Sequence, residues 1–297
     1  MPATAERLFV HTEEESRLWP PAETPAEAYR AVLPCVRLRG LVERVHLGRE
    51  WIPPERAVEE RVLPDGAVHL IFNLGVPPRT VGGGVPAACE ALGANCEPAV
   101  ILMAGHVEQV GVRLRPGGLA PLLGVPAGEL AGRPVALEEL WGARAGEALE
   151  RLAAAPPGPA RVAAVEDVLV ERAGAGDPRP QAVAAEAVRR IGASGGRMRV
   201  RDLAAGLGVG ERRLAQLFHA HVGLTPKAAC RLARFRATLS LLQREPGLPW
   251  SRVALRCGFY DQSHLVNEFR ALAGLSPTAF RERAGFGFLQ DGAAAPP

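Results

Sequence analysis

Residues 258–280, GFYDQSHLVNEFRALAGLSPTAF, decide how this chain is read. Asp261 is a good helix N-cap, and Leu265, Phe269 and Leu272 follow at the i, i+4, i+7 spacing of one helical face. The other face opens with Gln262, Ser263 and His264. Packing against a core explains the apolar stripe. It does not explain the polar first turn beside it.

The explanation starts with a near-copy earlier in the chain. Leu203-Ala204, Leu207 and Gly208 recur 50 positions later as Val253-Ala254, Cys257 and Gly258. After one inserted residue the offset becomes 51, and Leu214, Phe218, Gly223-Leu224, Thr225 and Pro226 recur as Leu265, Phe269, Gly274-Leu275, Ser276 and Pro277. A repeat with a single slip at a turn describes one structural unit used twice. Each copy has a short amphipathic helix, a glycine break and a second amphipathic helix, which is the helix-turn-helix pattern.

At ~100° per residue, Arg212, Ala215, Gln216 and His219 lie opposite Leu214 and Phe218 on the second helix of copy one. Ser263, Val266, Asn267 and Arg270 do so in copy two, with Gln262 in the exposed first turn. Arg suits guanine in the major groove, and Gln or Asn suits adenine. An ordinary solvated face would also be polar. The duplication, and the charge around it, favour nucleic acid.

That charge is concealed in the whole-chain balance of +3. Residues 189–283 hold 17 Lys/Arg against 6 Asp/Glu, or +11, whereas the remainder holds 18 against 26, or −8. A basic module joined to an acidic one suggests a polyanionic partner for the former. Between the copies, PKAACRLARFRATLSLLQ (226–243) reads as one helix of roughly 27 Å, at ~1.5 Å per residue, apolar at Leu232, Phe235, Leu239 and Leu242. Such a helix can hold the two units about one DNA turn apart, roughly 34 Å. Thr225-Pro226 and Ser276-Pro277 are each an N-cap followed by proline at the first helical position.

The first half reads differently. The first 20 or so residues are polar and proline-flanked, and are expected to be loosely ordered. Segments 42–47, 67–75 and 107–115 are strands by alternation or by short apolar runs, and Gly82-Gly83-Gly84 to about 98 reads as loop. Helical patterns take over at 137–155 and 160–174. The expected fold class is therefore an α+β N-terminal domain over 1–175, a linker over 176–188, an all-α double helix-turn-helix domain over 189–284 and a flexible tail over 285–297.

At this point the residues resemble the AraC/XylS family of transcription regulators. The resemblance covers about 190–283 and is most specific in VALRCGFYDQSHLVNEFRALAGLSPTAFR (253–281). It implies a seven-helix double helix-turn-helix domain, usually following a domain for ligand sensing or dimerisation. Two helices, about 211–221 and 262–273, would enter successive major grooves. By position, the base-reading residues would be Arg212, Ala215, Gln216, Gln262, Ser263 and Asn267, with Arg213, His219, His264 and Arg270 on the DNA backbone. Ala215 offers only apolar contact, such as to a thymine methyl, and Asn267 stands where many members carry Arg. The implied partner is double-stranded promoter DNA, and RNA polymerase, a small-molecule effector and a second copy of the chain fit such a regulator. LPDGAVHLIFNLG (63–75) and VRLRPGGLAPLLGVPAGELAG (112–132) resemble an uncharacterised domain that often precedes this module in actinobacterial-type regulators.

Other classes are weaker. His46, His69, His106 and Glu108 lie on predicted strands, but no H-x-H…E…H spacing appears, so no metal and no cofactor is expected. Cys89-x6-Cys96 does not resemble a thiolate cluster, and no Ser-His-Asp set, P-loop or dinucleotide motif appears, so no enzyme is expected. Five cysteines without a C-x-x-C pair fit a reduced, cytoplasmic setting. No apolar run reaches the roughly 18–20 residues of a membrane span. The remaining rival is an interaction protein whose helical pairs bind protein.

Overall fold

The computed structural model describes residues 6–11, 16–19, 29–83, 86–174 and 178–284. Among the described residues, eleven strands build the first part: β1 Glu6–His11, β2 Ser16–Trp19, β3 Tyr29–Val32, β4 Val42–Ile52, β5 Val58–Val62, β6 His69–Asn73, β7 Arg79–Thr80, β8 Cys89–Leu92, β9 Ala99–Met103, β10 Gly105–Leu114 and, after helix α1 Leu119–Leu123, β11 Pro134–Ala136. They form one sheet in the order β2-β1-β5-β9-β7 and another in the order β11-β8-β6-β10-β4-β3. Among the described strands, only β1 and β5 pair in parallel.

The larger sheet positions the domain. On β10, Val110 stands opposite Leu47 and Phe72, and Val112 opposite Val45 and Leu70. These side chains share a face, because residues opposite one another in an antiparallel pair point the same way. That face is buried against α1, α2 Leu137–Trp141, α3 Arg144–Ala154 and α4 Pro159–Arg172. The Trp141 indole N–H donates to the Leu122 carbonyl at 3.0 Å and ties α2 to α1. The alternate face carries His46, opposite Gly111, and is polar.

The second part is helical: α5 Pro178–Ala193, α6 Val200–Gly206, α7 Glu211–His221, α8 Pro226–Arg244, α9 Trp250–Cys257, α10 Gln262–Ala273 and α11 Pro277–Arg283. Two cores form around α8. One joins Ala184, Ala187 and Ile191 of α5 to Leu203, Leu214, Phe218 and Cys230. The other joins Phe235 and Leu239 to Val253, Leu265, Phe269 and Phe280.

Four local expectations change. The N-terminal segment contains two strands, β1 and β2, because β5 offers β1 a free edge and β1 then pairs with β2. The stretch read as loop up to about 98 contains β8, whose Cys89 and Ala91 are fully buried between β6 and the helices. The pattern at 137–155 is two helices, broken where Gly142 takes a left-handed φ of 61°. The linker placed at 176–188 is largely helix α5, since Ala184, Ala187 and Ile191 at helical spacing bury themselves in the first C-terminal core. The expected tail over 285–297 lies outside the described residues.

Candidate nucleic-acid interface

Both repeat copies fold as helix-turn-helix units. In the first, α6 ends at a turn containing Gly208, with φ 68°, and α7 follows. In the second, Gly258 caps α9 with φ 75° and α10 follows. The stripe residues Leu214, Leu217 and Phe218, and Leu265, Phe269 and Leu272, are all buried. Phe269 sits between two edge-on neighbours, Phe235 at 5.1 Å and Phe280 at 5.2 Å between ring centroids. Such T-shaped pairs add to the area that the rings bury.

With one face fixed in the core, the opposite face is in solvent. Arg212, Arg213, Ala215, Gln216 and His219 are exposed on α7, and Gln262, Ser263, Asn267 and Arg270 are exposed on α10. His264 is half-buried and is engaged at both ends of the turn. Its backbone N–H donates to Asp261 Oδ1 at 2.7 Å, and its Nδ1 accepts from the Tyr260 backbone N–H at 3.2 Å. A neutral imidazole that accepts at Nδ1 carries its proton on Nε2, so that nitrogen is left as a donor. The two copies are not equally capped: Gly210 supplies no side-chain cap to α7. The Thr225 and Ser276 hydroxyls each accept a cap hydrogen bond at 3.1 Å, as their Thr-Pro and Ser-Pro pairs predict.

Two basic residues of α8 serve inside the domain. Arg231 Nε pairs with Glu268 Oε2 of α10 at 2.7 Å. Arg234 donates to the Gly196 carbonyl at 3.1 Å and lies over the Phe259 ring at 5.4 Å. Both brace α8 against the units it carries. Lys227 is exposed.

Sequence reasoning missed a set of contacts from the first domain. The turn at 127–129 packs against α7, where the His219 ring lies over Gly128. The Gly117 N–H donates to the His221 carbonyl at 2.8 Å. Gly223, just beyond α7, faces the Ala127 carbonyl, and its counterpart Gly274 faces Arg61 and Pro98. Leu8 and Leu63 enter the core of the second unit, and Leu224 packs against all three large cores. The conspicuous glycines were the available signal, but their partners are far away in sequence. Arg212, Ala215, Gln216, Gln262, Ser263 and Asn267 stay uncovered by this docking.

The histidines of the first domain do not converge. His46 and His69 lie 6.4 Å apart between ring centroids. His69 Nε2 is held 3.0 Å from Asp65 Oδ2, which also pairs with Arg113 at 3.1 Å. His106 pairs instead with Glu108, 3.7 Å away, and Glu108 is also bound by Arg161. Among the described residues no group of three or more His, Cys, Asp or Glu is placed to hold a metal ion. All five cysteines are free thiols, and Cys257 is buried in the second core. Among the described residues no helix is long and apolar enough to cross a membrane.

The helix-turn-helix geometry agrees with a match to a known family model. Residues 203–283 match the family model of a helix-turn-helix domain, and residues 30–136 match a domain of unknown function (DUF6597). No curated protein matches the chain. Among solved structures, a transcriptional regulator with an AraC-type DNA-binding domain from Chromobacterium violaceum is 26% identical, covering 36% of this chain and 97% of its own, with a TM-score of 0.33. A DNA-binding transcriptional dual regulator from Escherichia coli K-12 is 20% identical over 35% of this chain and 92% of its own, with a TM-score of 0.32. ToxT from Vibrio cholerae is 10% identical over 81% of this chain and 98% of its own, with a TM-score of 0.42. The chain carries a helix-turn-helix domain over residues 203–283.

Proposed function

We propose that the chain binds specific double-stranded DNA sequences by placing α7 and α10 in successive major grooves. Arg212, Gln216, Gln262, Ser263 and Asn267 read bases, Ala215 meets a thymine methyl, and Arg213, His219, His264 and Arg270 hold the backbone. The single observation behind this reading is the duplicated exposed face: two helices, each anchored by a buried Leu-Phe stripe, present polar side chains of the types that recognise base edges. Helix α8 joins the units and is about 28 Å long at ~1.5 Å per residue, close to the ~34 Å of one DNA turn.

Residues up to about 174 form a regulatory domain, and the DNA-binding domain begins with α5. The contacts of the 127–129 turn with α7 support a modulating role, because a change in the first domain reaches a recognition helix directly. A small-molecule effector, a second copy of the chain and RNA polymerase are the partners through which such a domain would act.

Salt titration tests the reading against that of a protein-binding module. Neutralised phosphates release counterions, so log K for a selected duplex should fall linearly and steeply with log salt. A flat response from low to high salt would contradict it.

A further inference from the structure

The two helix-turn-helix copies differ by one inserted residue, and that residue is Tyr260. Residues 208 and 209 align with 258 and 259, whereas 210 aligns with Asp261. The insertion therefore falls between the buried Phe259 and the N-cap of α10. Tyr260 is 93% exposed, the most exposed of the large hydrophobic side chains among the described residues.

The backbone that carries it is tied down on both sides. Its N–H donates to His264 Nδ1, and Asp261 in turn caps the His264 N–H. The His264 ring stands edge-on to Phe259, with centroids 5.4 Å apart. These reciprocal bonds fix the point from which the tyrosine side chain leaves the turn. Copy one has no such structure, since Val209 runs directly into the uncapped Gly210. The second unit alone thus presents a rigid-based aromatic hydroxyl beside Gln262 and Ser263, at the end of α10 that carries the base-facing residues. A phenol has one donor on a flat ring, and tyrosine is among the side chains that bond DNA phosphates.

We infer that Tyr260 donates its hydroxyl to a DNA phosphate flanking the second half-site, a contact that the first unit does not make. The inference rests on the DNA-binding reading above. It makes the two half-sites unequal in backbone grip, and so gives the chain a direction on its site beyond that set by base preference.

The test uses the full chain and a duplex that the wild type selects from random sequences. Tyr260→Phe removes only the hydroxyl at an exposed position, so melting should not change. Affinity should drop by about tenfold, the scale of one hydrogen bond to a charged group. Ethylation interference should lose one phosphate beside the second half-site, and the selected base sequence should stay the same. Wild-type affinity and an unchanged interference pattern for Tyr260→Phe would overturn the inference, whatever Tyr260→Ala does, because the ring alone would then make any contact. A wild-type chain that selects no sequence would instead overturn the DNA-binding reading, and this inference with it.

Discussion

The His219 ring on α7 lies over Gly128 of the first domain, in the space where any other residue at 128 would place its Cβ. A few residues on, Gly223 faces the Ala127 carbonyl across the same junction. The end of α7 is thus seated against the 127–129 turn.

The energetic weight of that seat can be measured with two glycines. Gly223 has a φ of 83° and Gly208 a φ of 68°, so alanine at either must adopt the left-handed backbone, at a cost of about 1–2 kcal/mol. A Cβ at 208 meets open space, whereas one at 223 would lie 3.0 Å from the Ala127 carbonyl oxygen. Urea denaturation should therefore show a larger loss for Gly223→Ala than for Gly208→Ala. Equal losses would mean that the junction carries no stability.

Helices α7 and α10 each bury one phenylalanine. Phe218 and Phe269 are at most 1% exposed. Phe218→Ala and Phe269→Ala should each cost about 3–5 kcal/mol through lost burial and the cavity left behind. Unchanged melting of either variant would show that its helix is not anchored by that stripe.

Base reading and backbone grip separate by mutation. Arg212→Ala and Gln262→Ala should each cost about 1–3 kcal/mol on the selected site and relax base preference at one position. Competition binding with random duplex provides the check. A loss of the same size on random DNA would reassign the residue to phosphate.

The first domain should carry an acid-sensitive element. His46 is buried, and its pKa is lowered to about 3 by desolvation first, then by the nearby His69 and Arg113 charges. Its folded pKa lies below the unfolded value of about 6.5, so its contribution is complete above that pH. The contribution is lost as pH falls towards 3, on the order of 3–5 kcal/mol in all. Glu60 acts oppositely: burial raises its pKa to about 7, so its contribution declines as pH rises from about 4.5 to 7. His46→Gln cannot take the proton. The stability difference between wild type and variant should therefore shrink as pH falls below 6.5, and a constant difference would refute the assignment.

Much of this was legible in the sequence because it is local. Leu214/Phe218 and Leu265/Phe269 repeat at a fixed offset, and helical spacing alone then places Arg212, Gln216 and Asn267 on the opposite face. The Thr225 and Ser276 caps follow from residue type and the proline after each. What escaped depends on distant partners. Helix α5 was hidden because its start is rich in proline and its buried side is made of alanines and one isoleucine, a faint periodicity. Strand β8 is short and lies among glycine and proline. The pairing of Arg231 with Glu268, and of His219 with Gly128, joins residues that no local pattern relates.

Methylation protection on the selected duplex shows whether one chain sets α7 and α10 into successive major grooves, as proposed. Two protected blocks are expected on one face of the DNA, centred about one helical turn apart, roughly 10 base pairs. Asn267→Ala and Gln262→Ala should weaken one block and Arg212→Ala the other. A single protected block, or two blocks that respond together to every substitution, would contradict that placement.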